Sequence, residues 1–428
     1  MSFYIVAAIA GILVVLTLLP LSRHDAWWVR GLDFPRLQIA LALAVTAAAE
    51  VVLLDFSNTS AWILLAVTLA ALLYQASWIV PHTKFFPREV KPSVTADTPN
   101  TIRLMNANVL MPNRASDALL RIVRDNEPDI LVTLETDHWW DQKLSVLEGA
   151  YPHTLKCPLD NLYGMHVYSK FPLRDSAIQY LVEPDVPSIH TLVVLPSGQE
   201  VRIHFLHPAP PSPTENETSS ERDAELLLVG KSAARSRLPV IVAGDLNDVA
   251  WSETTTLFRK VSGLLDPRIG RGMFNTFNSR HWYFRWPLDH VFHSRHFTVS
   301  RIVRLPDFGS DHFPLMSELV YEKGLVPDED GPDASSEDQR LAEQKIDERS
   351  HGLVEVHRPG EQGGVGHPCA WHCSGDHISL LPGFDHEETF SHFVSAGGAA
   401  RGVHRCRGQP GQSARSAASA RYSLSRPA

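Results

Sequence analysis

Val242-Ala-Gly-Asp-Leu-Asn247 is a short apolar run that stops in a carboxylate and, two residues on, an amide. An extended segment with that ending predicts a buried strand that delivers polar groups to the rim of a sheet. Runs of the same kind occur at 102–110, 130–135, 165–169, 189–195, 201–207, 240–246, 288–293 and 313–320. Between them, 115–126, 139–147, 221–235 and 252–261 carry the spacing of amphipathic helices. Pro196-Ser-Gly-Gln199 predicts a hairpin turn, so hairpins and strand-helix-strand connections coexist. The fold class that follows is α/β, with a core of two mixed β-sheets covered by helices.

The ends of these strands carry the chemistry. Asn106 and Asn108 interrupt the first, Glu135 closes the second, His207 the fifth, and Asp245 with Asn247 the sixth; Asp289 follows Pro287-Leu288, and Asp311-His312 follows Gly309-Ser310. Taken singly, each has an ordinary explanation: a turn after a strand for Asp245 and Asn247, a cap for Asp311, an arginine partner for Asp289. Taken together they predict a rigid scaffold with one polar mouth. Carboxylate, amide and imidazole without thiol suit a hard cation, Mg2+ or Mn2+, with Glu135 and Asp311 as ligands and Asn108 assisting. Such a set fits attack of water on a phosphoester, where a cation offsets charge and a base orients the water. Asp245 and Asn247 point the same way on an extended segment and can hold that water. His312, paired with Asp289, can stabilise the developing charge or act as base, and His207 can protonate the leaving oxygen.

Asn106-Ala-Asn-Val109, Pro128-Asp-Ile-Leu-Val-Thr-Leu-Glu135, Gly244-Asp-Leu-Asn247, Leu288-Asp-His-Val-Phe292 and Gly309-Ser-Asp-His312 resemble, in order, the motifs of the endonuclease/exonuclease/phosphatase superfamily. That superfamily includes pancreatic deoxyribonuclease, apurinic-site endonucleases, inositol polyphosphate phosphatases and neutral sphingomyelinases. The resemblance covers residues 101–321 and implies a four-layer α/β sandwich. It implies that Asn108 and Glu135 help hold the metal, with Asp311 beside metal and phosphate. It further implies that Asp245 and Asn247 position the nucleophile, that Asp289 orients His312, and that His207 is the acid. Asp160 and Asn161, in a segment similar to that of bacterial membrane-anchored members, are expected to line the substrate mouth. Leu110 and Asp137 depart from the pattern, standing where apurinic-site enzymes and deoxyribonucleases place an acidic residue and an arginine. Both departures weaken a nuclease assignment and leave the reaction class intact.

Outside that domain the composition changes sharply. Residues 3–21 and 61–80 carry no charged side chain and 37–54 carries one, Glu50, so each can cross roughly 30 Å of hydrocarbon. Glu50 is expected near an interface, reaching water or headgroups. Trp27, Trp28, Trp62 and Trp78 fall near the ends of these stretches, where amphipathic rings favour the interface. The expected organisation is a three-span anchor at 1–80, a juxtamembrane linker at 81–100, the catalytic domain at 101–322 and a disordered tail at 323–428. Arg23, Arg30, Arg36, Lys84, Arg88 and Lys91 all fall on one side of the spans, which predicts that the domain is cytoplasmic; the resemblance to bacterial membrane-anchored members implies that the membrane is a bacterial inner membrane.

The whole chain has 39 Lys and Arg against 48 Asp and Glu, a formal charge of −9, so no bulk attraction to a polyanion operates. Cys157 stands alone and Cys369, Cys373 and Cys406 crowd the end, so no disulfide framework supports the fold. His367, Cys369, His372 and Cys373 cluster in a Gly-rich stretch without the paired half-sites of structural zinc. The function these observations predict is a membrane-tethered, divalent-metal-dependent phosphoester hydrolase. Its substrate is a nucleic acid, a lipid headgroup or a small phosphate ester, and no protein partner is implied. The competing expectation is a catalytically silent scaffold or binding protein with the same fold.

Overall fold

The computed structural model describes residues 2–94, 98–324, 332–349 and 355–360. The N-terminal part consists of α1 (Ser2–Leu18), the single turn α2 (Trp27–Arg30), α3 (Arg36–Leu53) and α4 (Thr59–Ile79). Three helical stretches, Phe3–Ser22, Arg36–Leu53 and Thr59–His82, are long and apolar enough to cross a membrane. Glu50 does not reach outward as expected. It is fully buried among these helices and accepts a hydrogen bond from Thr68 Oγ1 at 2.8 Å.

The remainder runs β1 (Thr101–Asn108), α5 (Ser116–Asn126), β2 (Ile130–Leu134), α6 (His138–Leu144), β3 (His153–Cys157), β4 (Met165–Ser169), β5 (Leu173–Gln179), β6 (Ser188–Val194), β7 (Glu200–Leu206), α7 (Ser220–Ala234), β8 (Val240–Asp245), α8 (Glu253–Ser262), β9 (Asp289–His293), β10 (Phe297–Arg304), β11 (Leu315–Tyr321) and α9 (Ser336–Asp347). One sheet has the order β10-β11-β1-β2-β4-β3 and the other β5-β6-β7-β8-β9. Both are mixed: β1 and β2 are parallel, as are β7 and β8, while the remaining pairs are antiparallel.

Alternation along the strands builds the layers. Ile102, Leu104, Val132, Ile203, Phe205, Ile241, Ala243 and Val291 pack between the two sheets. Their neighbours of opposite parity face helices: Met105 and Leu131 meet Leu119 of α5 and Trp140 of α6, and Val240 and Val242 meet Leu226 of α7 and Phe258 of α8. The result is helix, sheet, sheet, helix. Each fully buried Leu, Ile or Phe in these layers contributes about 1.5–3 kcal/mol.

Two expectations of domain organisation change. The 81–100 segment is not a free linker in its described part. Val90 is buried in the inter-sheet core, Glu89 pairs with Arg259 and accepts from Asp266 N at 2.8 Å, and Lys91 O accepts from Val299 N at 3.1 Å. Gly270, at φ +71, lets this segment pass, because a Cβ there would lie 2.5 Å from Pro87 O. The loop between α1 and α3 also docks: Trp27 N donates to Glu217 O at 2.9 Å, Trp251 Nε1 to Asp33 O at 2.9 Å, and Arg30 pairs with Glu253 at 3.3 Å. Part of the expected tail folds as α9, which opens on a Ser335/Asp338 capping box and buries Ala342 and Ile346 against Leu227, Leu257 and Val261. The His367 to Cys373 cluster lies outside the described residues.

Candidate active site

The inter-sheet face of the strands turns polar at one rim. On β1, the alternation Ile102, Leu104 continues into Asn106 and Asn108. On β8, Ile241 and Ala243 lead to Asp245, and on β9 Val291 shares its face with Asp289. Register brings them together, since Asp245 is the partner of Asp289 and Leu206, just before His207, pairs with Gly244. Gly244 has φ +146, and a Cβ there would sit 1.9 Å from Leu206 O, so only glycine permits this approach of β7 and β8. Alternation would turn Glu135 away from the face that Leu134 shares with the core. Instead Glu135 adopts φ 59, left-handed for a residue with a side chain, and its carboxylate returns to the rim. Asn247 is also left-handed, at φ 51.

Hydrogen bonds weld these groups across the two sheets. Asn106 Nδ2 donates to Asp289 Oδ1 at 2.7 Å. Asn108 Nδ2 donates to Glu135 Oε1 at 2.7 Å and to Asp245 Oδ2 at 3.1 Å. His312 Nδ1 is 2.8 Å from Asp289 Oδ2, and its Nε2 is 3.4 Å from Asp245 Oδ2. His207 Nε2 lies 3.9 Å from the same Asp245 oxygen, and His207 Nδ1 has no hydrogen-bond partner. Asn247 N donates to Asp245 Oδ1 at 3.0 Å, while its side chain donates to Pro208 O at 3.0 Å. Asp311 follows Ser310, whose Oγ donates to Asn108 O at 2.8 Å, so the loop before β11 is fixed to the end of β1.

Burial sets the protonation states, and neighbours decide where it is overruled. Burial pulls His312 down, but the carboxylates of Asp245 and Asp289 outweigh it and hold the imidazole up at about 10. His207, with only Asp245 opposing burial, falls to about 4. Burial raises Asp245 against the pull of His312, and raises Glu135 to about 7 against the bond from Asn108, with Asp311 and Asp245 adding to the rise.

The Endonuclease/Exonuclease/phosphatase family pattern matches residues 105–312, which spans every one of these groups. This domain belongs to the endonuclease/exonuclease/phosphatase family. Among solved structures, the chain is similar to an endonuclease/exonuclease/phosphatase from Beutenbergia cavernae (18% identity, 52% of this chain and 72% of that one, TM-score 0.43). It is also similar to the human Nocturnin catalytic domain (19%, 53% and 97%, 0.43) and to a family member from Bacteroides thetaiotaomicron (20%, 53% and 100%, 0.42). No curated protein matches the sequence.

The residues of this family domain suit a divalent cation on grounds of charge. Glu135, Asp245, Asp289 and Asp311 surround a single imidazolium, His312, and burial, with a smaller push from Asp311 and Asp245, drives Glu135 upward. A hard cation would offset that surplus, and the donors are oxygens. Asp245, Asp289 and His312 present ligand atoms within 4.8 Å of one another and could hold an ion by distance alone. His312, however, has its Nδ1 bonded to Asp289, and the carboxylates of Asp245 and Asp289 favour its protonated form, in which Nε2 would have no lone pair for an ion. Glu135, with Asn108 and Asp311 beside it, offers the oxygen donors that would suit a cation.

Of the residues expected from sequence, Asn108, Glu135, His207, Asp245, Asn247, Asp289, Asp311 and His312 come together at this rim. Asp160 is exposed, and Asn161 is engaged locally, accepting from Tyr163 N at 3.0 Å and donating to Asp185 O at 2.9 Å. The residue of that loop which reaches the site is Tyr163, whose ring lies 5.5 Å from that of His207. Three supports were not assigned from sequence. Asn106 could have been found, because it shares the period-two face of Asn108. Arg222, which donates to Asn247 O at 2.9 Å, and Arg268, which donates to Asp289 O at 3.3 Å, carry no local signal. Asp137, where an arginine was the comparison, caps α6 by accepting from Trp140 N and pairs with Arg114 at 2.9 Å, so an arginine reaches this place from another loop.

Proposed function

We propose that this protein is a membrane-tethered phosphoester hydrolase dependent on Mg2+ or Mn2+. The observation that carries the reading is the His312 imidazole locked between Asp289 and Asp245, with Glu135 in the adjoining carboxylate cluster. A bound cation supplies Lewis acidity that draws charge from a phosphate oxygen. Asp245 and Asn247 hold the attacking water, and Asp245, raised by burial, takes its proton. The water oxygen bonds to phosphorus, one P–O ester bond breaks, and the departing oxygen takes a proton from solvent, to which Asp245 then returns the proton it accepted. His312, positively charged and oriented by Asp289, faces the charge that builds on phosphorus. His207, neutral in this setting, contributes a directed N–H toward the ester rather than a spare proton.

Substrates compatible with this site are a nucleic acid, a lipid headgroup or a small phosphate ester. The spans are read as a bacterial inner-membrane anchor. The contacts of the α1–α3 loop with the domain, together with the basic residues on that side, support a cytoplasmic domain. The test is hydrolysis of bis-p-nitrophenyl phosphate by the full chain in detergent with Mn2+. Glu135→Ala and His312→Ala should each abolish it, whereas undiminished turnover in both would defeat the assignment. A scaffold would instead bind no Mg2+ or Mn2+ at millimolar concentration in calorimetry.

A further inference from the structure

The loop from Phe277 to Trp286 connects the reaction centre to the start of a span. Its base is at the site: Ser279 N donates to Asp311 O at 2.7 Å, and the Phe277 ring lies 4.9 Å from that of His312. Phe277 stacks on Trp286 at 6.2 Å, and Trp286 meets Phe34 at 5.4 Å, two residues before α3 begins. At its tip, Gln38 Nε2, in the first turn of α3, donates to Tyr283 O at 2.8 Å. The tip therefore lies level with the point where an apolar helix of membrane-crossing length starts.

The side chains at that tip are large and outward-facing. Trp282 is 76% exposed, Tyr283 49% and Phe284 48%, consecutive aromatics that an aqueous surface gains nothing by displaying. Trp and Tyr are the residues that favour the headgroup level of a bilayer. Trp27 and Trp28, also exposed, lie in the loop that leads into the same helix. Arg280, on the same loop, donates to Gly309 O at 3.4 Å and is exposed beside the site. Aromatic tip, cationic flank and reaction centre thus follow one another from the span inward.

The geometry points to Trp282, Tyr283 and Phe284 as an immersed element that holds the mouth of the site against the bilayer, so that the phosphoester taken is that of a membrane lipid. This rests on the hydrolase reading and on α1, α3 and α4 as spans, and narrows the substrate to one class. A nucleic acid approaching the mouth would have to displace headgroups and gains nothing from three aromatics turned toward the acyl boundary.

The test uses the full chain reconstituted in phosphatidylcholine–phosphatidylglycerol vesicles, compared with the Trp282→Ser/Tyr283→Ser/Phe284→Ser triple variant, whose altered side chains are exposed and lie outside the reaction centre. Hydrolysis of vesicle lipid should fall by at least about tenfold while hydrolysis of soluble bis-p-nitrophenyl phosphate stays the same. A second readout needs no turnover: the tryptophan emission lost in Trp282→Ser should be emission that bromine-labelled acyl chains quench in the parent. Equal loss on both substrates, no loss on lipid, or plasmid DNA cleaved faster than lipid and equally by the triple variant would overturn the lipid assignment. Emission of Trp282 that bromolipid leaves unquenched would overturn the immersion. A parent protein that hydrolyses nothing yet shows quenching would sink the hydrolase reading and the substrate with it, and leave the immersed loop standing.

Discussion

Two buried histidine clusters lie on either side of the five-stranded sheet. On the inter-sheet rim, His312 is wedged between Asp289 and Asp245 and held at about 10. On the helix-facing side, His190 and His204 meet with their Nδ1 atoms 2.6 Å apart, and Ser188 Oγ lies 3.0 Å from His190 Nε2. Here the charged neighbours are Arg202 and His357. Burial takes His190 down to about 3 and His204 well below the ordinary imidazole range. Burial alone therefore makes a neutral, structural histidine. A pair of carboxylates at hydrogen-bond range reverses the outcome and keeps a permanent charge where a phosphate can meet it.

Breaking the charged cluster should have the largest effect. His312→Gln and Asp289→Asn are expected to lower kcat by about 10²–10⁴-fold with circular dichroism unchanged, the range of a lost acid–base group. Asn108→Ala removes the donor that fixes both Glu135 and Asp245, and should weaken Mn2+ binding by about 10–100-fold in calorimetry. The neutral cluster should respond in the opposite way. His204→Leu strands His190 Nδ1 and should cost about 1–3 kcal/mol in urea unfolding while kcat is unaltered.

The two clusters also differ in pH dependence. Because folding raises His312 from 6.5 to about 10, its contribution to stability is fully present below about 6.5 and is lost as pH rises through about 10. The unfolding midpoint of the parent should decline across that window relative to His312→Gln. Parallel curves for the two would mean that His312 is not charged in the folded protein.

The central strands were legible because they are apolar on both faces and their polar ends stand out against that background. The three strands not expected, β3, β5 and β10, are all sheet edges. Paired on one side only, they admit residues such as Lys156, Arg174, Asp175 and Arg301, and lose the apolar signature that marks β8 or β2. The site followed the same logic. Residues at strand ends were found, whereas Tyr163, Arg222 and Arg268 act from loops or helices through contacts that no spacing encodes. The docking of the 81–94 segment was hidden for another reason: Glu89 and Val90 read as an ordinary polar linker until Arg259 and the inter-sheet core are brought to them. Helix α9 is polar on most of its surface and buries only a narrow face, so its composition matched that of a solvated tail.

The most direct test of the central claim is the anomalous diffraction of Mn2+ in crystals of the full chain. The account predicts a single peak against the Glu135 carboxylate, with His312 still bonded to Asp289 and outside the ligand shell. A peak bound through a His312 nitrogen, or crystals that take up no Mn2+ at millimolar concentration, would contradict it.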